Sequence, residues 1–144
     1  MPTIVQSAWG AGKRQAPVSA EAGNVVCETY EFYVNANIAD GDIVEIAVLP
    51  SYHTVVDAVL VAEDFTGGTA NIGLMSGAVS STDESRTVGN ELFEGAALGD
   101  PVRMTKADGF LIKPVEGDRS IGITFPGGVT AAGQRVVLIL SAKQ

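Results

Sequence analysis

Residues 38–77 constrain the fold most, because they alternate short apolar segments with turn residues and hold few side chains suited to catalysis. The three apolar segments cover residues 43–49, 55–61 and 72–75. The turn pairs beside them are Asp40-Gly41, Pro50-Ser51 and Gly67-Gly68. Segments of this length, bounded by Gly, Pro, Asp and Ser, are typical of β-strands joined by tight turns. The run therefore predicts a β scaffold rather than an active site.

The rest of the chain repeats this organisation. In residues 25–34, large apolar side chains recur at every second position from Tyr30 onward, which indicates a strand with one buried face. Further strand candidates lie near residues 42–49, 53–63, 70–76, 101–105, 109–115, 119–125 and 134–141. About eight short strands at this spacing predict a single all-β domain, either a sandwich or a barrel.

Three local predictions follow from the same patterns. Residues 136–140, VVLIL, are apolar on both faces of a strand and suit a central, fully buried position. Residues 90–98 suit one short helical turn, held at the edge of the core by Leu92, Phe93 and Leu98. Cys27 lies in an apolar run, so we expect a buried thiol, and as the only cysteine it excludes an intrachain disulfide.

The first 24 residues differ from the remainder. They show no lasting period and are rich in small residues, with two prolines and three glycines. We therefore predict an extended N-terminal arm over residues 1–24 and a β-sandwich domain over residues 25–144. Deleting residues 1–20 is expected to leave the fold stable and to weaken assembly.

Charge and hydropathy exclude two classes of partner. The net charge is −8, and because residues 1–24 carry +1, residues 25–144 carry −9. Apart from Lys13-Arg14, the basic residues are scattered singly, whereas nucleic-acid binding needs clustered Lys and Arg. No apolar run approaches the roughly 20 residues of a membrane span, and no signal-peptide pattern is present. We expect neither nucleic acid nor membrane as a partner, and synthesis in a cytoplasm.

Two motifs of nucleotide and catalytic sites are incomplete. The segment WGAGKR at 9–14 lacks the first glycine of a phosphate-binding loop, which would stand at position 7, and has Arg14 where that loop needs Ser or Thr. His53 is the only histidine, which excludes the multi-histidine metal sites of β scaffolds. No G-x-S-x-G turn accompanies it. We predict an exposed or hydrogen-bonded structural role for His53, and neither metal nor other cofactor.

Adjacent carboxylates are the remaining catalytic candidates. The close pairs are Asp40 with Asp42, Glu63 with Asp64, and Asp83 with Glu84. Glycosidases need two carboxyl groups, and a calcium site at Asp40 and Asp42 is a further alternative. All three pairs stand at strand ends or in loops, where acidic residues commonly cap turns. A structural role is the favoured interpretation, with a hydrolase as a minor alternative.

The order of four segments resembles that of small capsid decoration (cement) proteins of tailed bacteriophages. The segments are IADGDIVEIAVLPSYHTVVDAVLVAEDF, GTANIGLMSG, VGNELFEGA and DRSIGITFPGGVTAAGQRVVLIL. The likeness covers most of residues 30–141. It implies a β-rich, jelly-roll-like fold and assembly as trimers on the outer face of the capsid shell.

The expected function is therefore that of a non-enzymatic virion protein that binds the major capsid protein as a homotrimer and stabilises the shell by bridging its subunits. An arm that orders on binding would supply partner contacts. The candidate contact residues are Ile4, Val5, Trp9, Lys13 and Arg14. The alternative is a carbohydrate-binding jelly-roll module or host-surface adhesin, suggested by the aromatic residues Tyr30, Phe32, Tyr33 and Tyr52.

Overall fold

The computed structural model of the chain describes residues 2–8, 10–13 and 24–144. In these residues the chain forms nine strands and one short helix, α1 (Ala107–Phe110). The strands are β1 (Ile4–Gln6), β2 (Val25–Tyr33), β3 (Ile43–Leu49), β4 (Thr54–Glu63), β5 (Thr69–Leu74), β6 (Phe93–Ala97), β7 (Val102–Arg103), β8 (Arg119–Thr124) and β9 (Arg135–Lys143). The all-β architecture predicted from the sequence is confirmed.

The strands form two sheets that pack as a jelly-roll-like sandwich. The five-stranded sheet has the order β1-β3-β8-β5-β6, and the four-stranded sheet has the order β2-β9-β4-β7. From β2 to β5, and again from β6 to β9, each strand lies in the opposite sheet from the one before it. Only the β1–β3 pair is parallel. Most pairings therefore join residues that are distant in sequence.

Alternate side chains of the strands fill the space between the sheets. In β9, Val136, Leu138 and Leu140 are buried, and in β2 the buried Tyr30 faces the same core. The five-stranded sheet contributes Ile121 and Ile123 from β8. Burying each such aliphatic side chain contributes about 1.5–3 kcal/mol, so the core stabilises the sandwich.

Two predicted elements are wrong. Residues 109–115 form no strand; Ala107–Phe110 is the single helical turn α1, and Leu111 is 71% exposed with no strand beside it to pair with. Residues 90–98 form no helical turn; Phe93–Ala97 is β6, because the edge of β5 offers backbone partners to it. In both places the structure depends on whether a neighbouring strand offers backbone hydrogen-bond partners, rather than on the local sequence.

Two burial predictions also need correction. The central position of β9 is confirmed, since it lies between β2 and β4, but Val137 and Ile139 face outward and are only half buried. Cys27 is exposed rather than buried. The period of two explains the exposure, because the inward positions of β2 are the even-numbered ones that include Tyr30.

The start of the chain is partly integrated into the domain. Residues Ile4–Gln6 form β1, an edge strand whose register pairs Ile4 with Ile43 and Gln6 with Glu45. Val5 packs against the hydrophobic core. This differs from the predicted free arm, because the open edge of β3 pairs with a short apolar segment whose composition alone suggested no packed element. The remainder of the predicted arm, residues 14–23, lies outside the described residues.

Candidate assembly surfaces

Asp40 and Asp42, one of the carboxylate pairs singled out from the sequence, stabilise turns. Asp42 accepts hydrogen bonds from the backbone N–H of Ala39 at 3.0 Å and of Thr3 at 3.1 Å. Asp40 accepts one from the backbone N–H of Gly127 at 3.1 Å. Among the described residues, no group of three or more His, Cys, Asp or Glu side chains comes close enough to hold a metal ion. The geometry at Asp40 and Asp42 is that of a structural pair.

His53 and the aromatic residues also have structural surroundings. The ring Nδ1 of His53 lies 2.9 Å from the carbonyl oxygen of Ser51, and the side chain is buried, in agreement with the predicted hydrogen-bonded role. Tyr30 is buried, and its hydroxyl donates to the carbonyl of Val48 at 3.3 Å. Tyr33 and Tyr52 are exposed at the surface. The aromatic set thus divides between core and surface and forms no single sugar-binding platform.

The predicted contact residues of the N-terminal segment fall in different settings. Ile4 and Val5 lie in β1 at the edge of the five-stranded sheet. Lys13 is exposed, and its backbone N–H donates to the carbonyl of Ala8 at 2.8 Å. Trp9 and Arg14 lie outside the described residues. The proposed partner contacts of all five therefore remain predictions.

A buried ion pair that the sequence analysis missed lies on the outer side of the five-stranded sheet. Arg86 Nη2 is 3.0 Å from Glu45 Oε2, and the two side chains are 2% and 0% exposed. The hydroxyl of Ser120 also donates to Glu45 Oε2 and accepts from Arg86 at 3.0 Å. The sequence feature that could have predicted this ion pair is Glu45, a charged residue within the otherwise apolar strand IVEIAVL. A buried charge is retained only when it is paired and hydrogen-bonded.

This ion pair fixes two irregular segments against the sheet. Arg86 donates to the carbonyls of Ser76 at 2.8 Å and Ser81 at 2.7 Å, and the backbone N–H of Ser80 donates to Glu45 at 3.1 Å. The N-terminal segment joins through Gln6, whose amide donates to Glu45 Oε1 at 2.6 Å. Residues 7–8, 10–12 and 76–86 therefore lie against the outer side of β3.

The outer face of the four-stranded sheet has a different composition. Its middle is a block of four aliphatic side chains, in which Val59 pairs directly with Ile139 and Val61 with Val137. Two ion pairs flank the block: Arg135 with Glu63 at 2.6 Å and Arg103 with Asp57 at 2.7 Å. The carboxylates accept hydrogen bonds from these guanidinium groups and thereby raise the pKa values of Arg103 and Arg135 above the ordinary value for arginine.

One cleft of the described surface already has its cation paired within the chain. The cleft between β6 and β7 has a volume of about 290 Å³. Its cation, Lys106, lies 3.0 Å from both Glu94 Oε2 and the carbonyl of Asn90, and the hydrogen bond to Glu94 raises its pKa. A lysine with these partners does not favour a bound anion. Within the described residues, no helix is long and apolar enough to span a membrane.

The chain is similar to chains of solved bacteriophage capsid structures. No family model matches the sequence, and no curated protein matches it. One chain of the capsid of Ralstonia phage GP4 is 38% identical to this chain with a TM-score of 0.88, and the match covers 98% of this chain and 97% of that one.

Two further structures share the fold at lower identity. A chain of the cyanophage Pam1 capsid asymmetric unit is 18% identical with a TM-score of 0.58, over 90% of this chain and 91% of that one. A chain of the acidic stable capsid of Helicobacter pylori bacteriophage KHP30 is 14% identical with a TM-score of 0.54, over 86% and 90% respectively.

Proposed function

The chain belongs to a family of bacteriophage capsid proteins, and we propose that it is a non-enzymatic decoration protein on the outer surface of the shell. The observation that carries this proposal is the match to the GP4 capsid chain over nearly the full length of both chains. The resemblance of residues 30–141 to cement proteins gives the finer assignment. In this role the protein is made in the host cytoplasm and binds the major capsid protein during or after shell assembly.

The charge distribution supports an outward position. Residues 25–144 carry a net charge of −9, with most basic residues already paired to carboxylates, as for Arg86, Arg103 and Arg135. Packaged DNA lines the interior of a phage shell, and an acidic surface is repelled by phosphates. An acidic surface is compatible with a position outside the shell.

The proposed mechanism is stabilisation by mass action. A protein that binds the assembled shell and not its dissociated subunits lowers the free energy of the shell by an amount that grows with the concentration of free decoration protein relative to its Kd. Bridging of adjacent coat subunits by a homotrimer supplies such a preference, because only the assembled lattice presents both contact sites at the required spacing. No covalent chemistry is needed.

Binding to capsids tests this function. Purified protein, added to capsids of its own phage from which it has been stripped, is expected to co-sediment with the shells and to raise the temperature at which they release DNA. Capsids of an unrelated phage serve as the control. Light scattering is expected to give a particle of three 14.9 kDa chains. Absence of co-sedimentation would contradict the decoration role, and a monomer at high concentration would contradict the trimer.

A further inference from the structure

The two sheets differ in how their outer faces are covered. All seven residues of β3 are buried. The core covers its inner side, and residues 7–8, 10–12 and 76–86 lie against its outer side, where Glu45 and Arg86 fix them. No described segment lies over the outer face of the four-stranded sheet, where Cys27 and Tyr33 are exposed. Among the described residues, segments of the same chain therefore cover the outer face of β3, and none covers the outer face of the four-stranded sheet.

The uncovered face has the composition of an interface rather than of a solvated sheet. An antiparallel sheet with one solvated face normally alternates apolar and polar residues, with the polar ones outward. Here the outward positions at the middle of β4 and β9 are Val59, Val61, Val137 and Ile139. Charged and polar side chains surround this aliphatic block, which is the arrangement of an apolar interface core with a polar rim.

The same face is electrically neutral. Its charged side chains are Glu31, Asp57, Glu63, Arg103, Arg135 and Lys143, three acidic and three basic. The chain as a whole carries −8, so the excess negative charge lies elsewhere. Arg103 and Arg135 are already paired with carboxylates of this face, so an apolar surface can cover the block without leaving either cation unpaired.

We propose that a second copy of this chain covers the outer face of the four-stranded sheet, so that this face forms the subunit contact of the homo-oligomer. This proposal rests on the homo-oligomer proposed above, and it identifies the surface through which the subunits of that oligomer contact each other. Two copies that each carry −8 repel each other across their acidic surfaces, and the neutral face is where they approach without like charges meeting. A basic region of the shell would be attracted to the acidic surface of the subunit outside this neutral face.

Lysine substitutions at the aliphatic block test the interface. Ile139→Lys and Val59→Lys each place a charge at its centre, and the long side chain can extend into water in an isolated subunit. Light scattering coupled to size exclusion is expected to show 14.9 kDa monomers, or a dissociation midpoint raised at least about 30-fold, as for an interface hot spot. Leu111→Lys is the matched control, because Leu111 is aliphatic and exposed but lies outside this face; it should keep the wild-type mass.

A gentler pair of variants separates dissociation from unfolding. Val137→Thr and Ile139→Thr keep the β-branched shape and remove apolar area, so the fold should persist while association weakens. Wild-type mass in both the Lys and the Thr variants would overturn the inference and leave capsid binding untouched. A wild-type chain that is monomeric would overturn it as well. Dissociation of the variants together with failure of the wild type to bind capsids would support the interface and contradict the decoration role.

Thiol reactivity gives a second readout. Cys27 is exposed and lies at an outward position of β2, where it pairs with Ser141 of β9. Maleimide labelling of Cys27 is expected to be slower in the wild-type oligomer than in the Ile139→Lys monomer at the same protein concentration. Equal rates in the two, with the oligomer intact in the wild type, would show that the contact lies elsewhere.

Discussion

Arg86 contacts Glu45 at 3.0 Å across 41 residues of sequence, and both side chains are buried. The pair connects β3 to the loop that precedes β6, and Ser120 of β8 completes it. Taking two charges out of water costs free energy that their attraction and hydrogen bonds offset only while both partners are present. The pair therefore determines the position of the loop more than it adds to net stability.

Removing one member of this pair should be strongly destabilising. Arg86→Met leaves Glu45 buried without its cation, and we expect the free energy of unfolding in urea to fall by about 3–5 kcal/mol. Glu94→Gln is the control, because it breaks an exposed ion pair with Lys106 and should cost less than about 1 kcal/mol. Equal small losses in both variants would show that the Glu45–Arg86 pair is not buried in solution.

The approach of Gly10 to β3 gives a second prediction. A Cβ at Gly10 would collide with the carbonyl oxygen of Glu45, whereas a Cβ at Gly99 would meet nothing within 4 Å. Gly10→Ala should therefore lower the free energy of unfolding by about 1–3 kcal/mol, because the turn must move away from the sheet. Gly99→Ala should be neutral or slightly stabilising. The reverse order of the two variants would contradict the close approach of Gly10 to β3.

Tyr30 predicts a loss of stability at alkaline pH. Burial, with a smaller contribution from the charge of Glu28, raises the pKa of its hydroxyl above the ordinary value of 10.0. The folded protein therefore retains a proton that the unfolded chain releases, so this contribution to stability is present below about pH 10 and declines as the pH rises further.

The Tyr30→Phe variant isolates this effect. At pH 8 the variant should be about 1 kcal/mol less stable than the wild type, since it loses the hydrogen bond to Val48. Between pH 10 and pH 11 the difference should shrink, because Phe has no proton to release. Urea titrations of both proteins across this range measure it. A difference that stays constant would show that Tyr30 ionises as easily in the folded state as in the unfolded chain.

Removing residues 2–13 is expected to destabilise the domain, in contrast to the sequence-based expectation that deletion of the arm leaves the fold intact. The deletion removes β1, the hydrogen bond from Gln6 to Glu45, and the cover over β3. We expect a melting temperature lowered by several degrees and a greater tendency to aggregate through the exposed edge of β3. Lys13→Ala, an exposed change in the same segment, should melt as the wild type does. An unchanged melting temperature for the deletion would restore the free-arm interpretation.

Strand positions were accessible from the sequence wherever one face is buried, because the period of two in β2 and β8 requires no knowledge of neighbours. The identities of β6 and α1 were not accessible, since each depends on whether a strand edge is available beside it. The Glu45–Arg86 pair was hidden for a similar reason: its partners lie on different elements. The apolar outward residues of β9 were visible in residues 136–140, but the pattern alone suggested complete burial rather than an uncovered face.

An electron cryomicroscopy reconstruction of the virion of the phage that encodes this chain would test directly whether the protein decorates the outer surface of the shell as a trimer. We expect density for the two-sheet sandwich outside the continuous shell, in groups of three, with the four-stranded sheets facing one another within each group. Density for this sandwich within the shell wall, on its inner surface or only in the tail would contradict it.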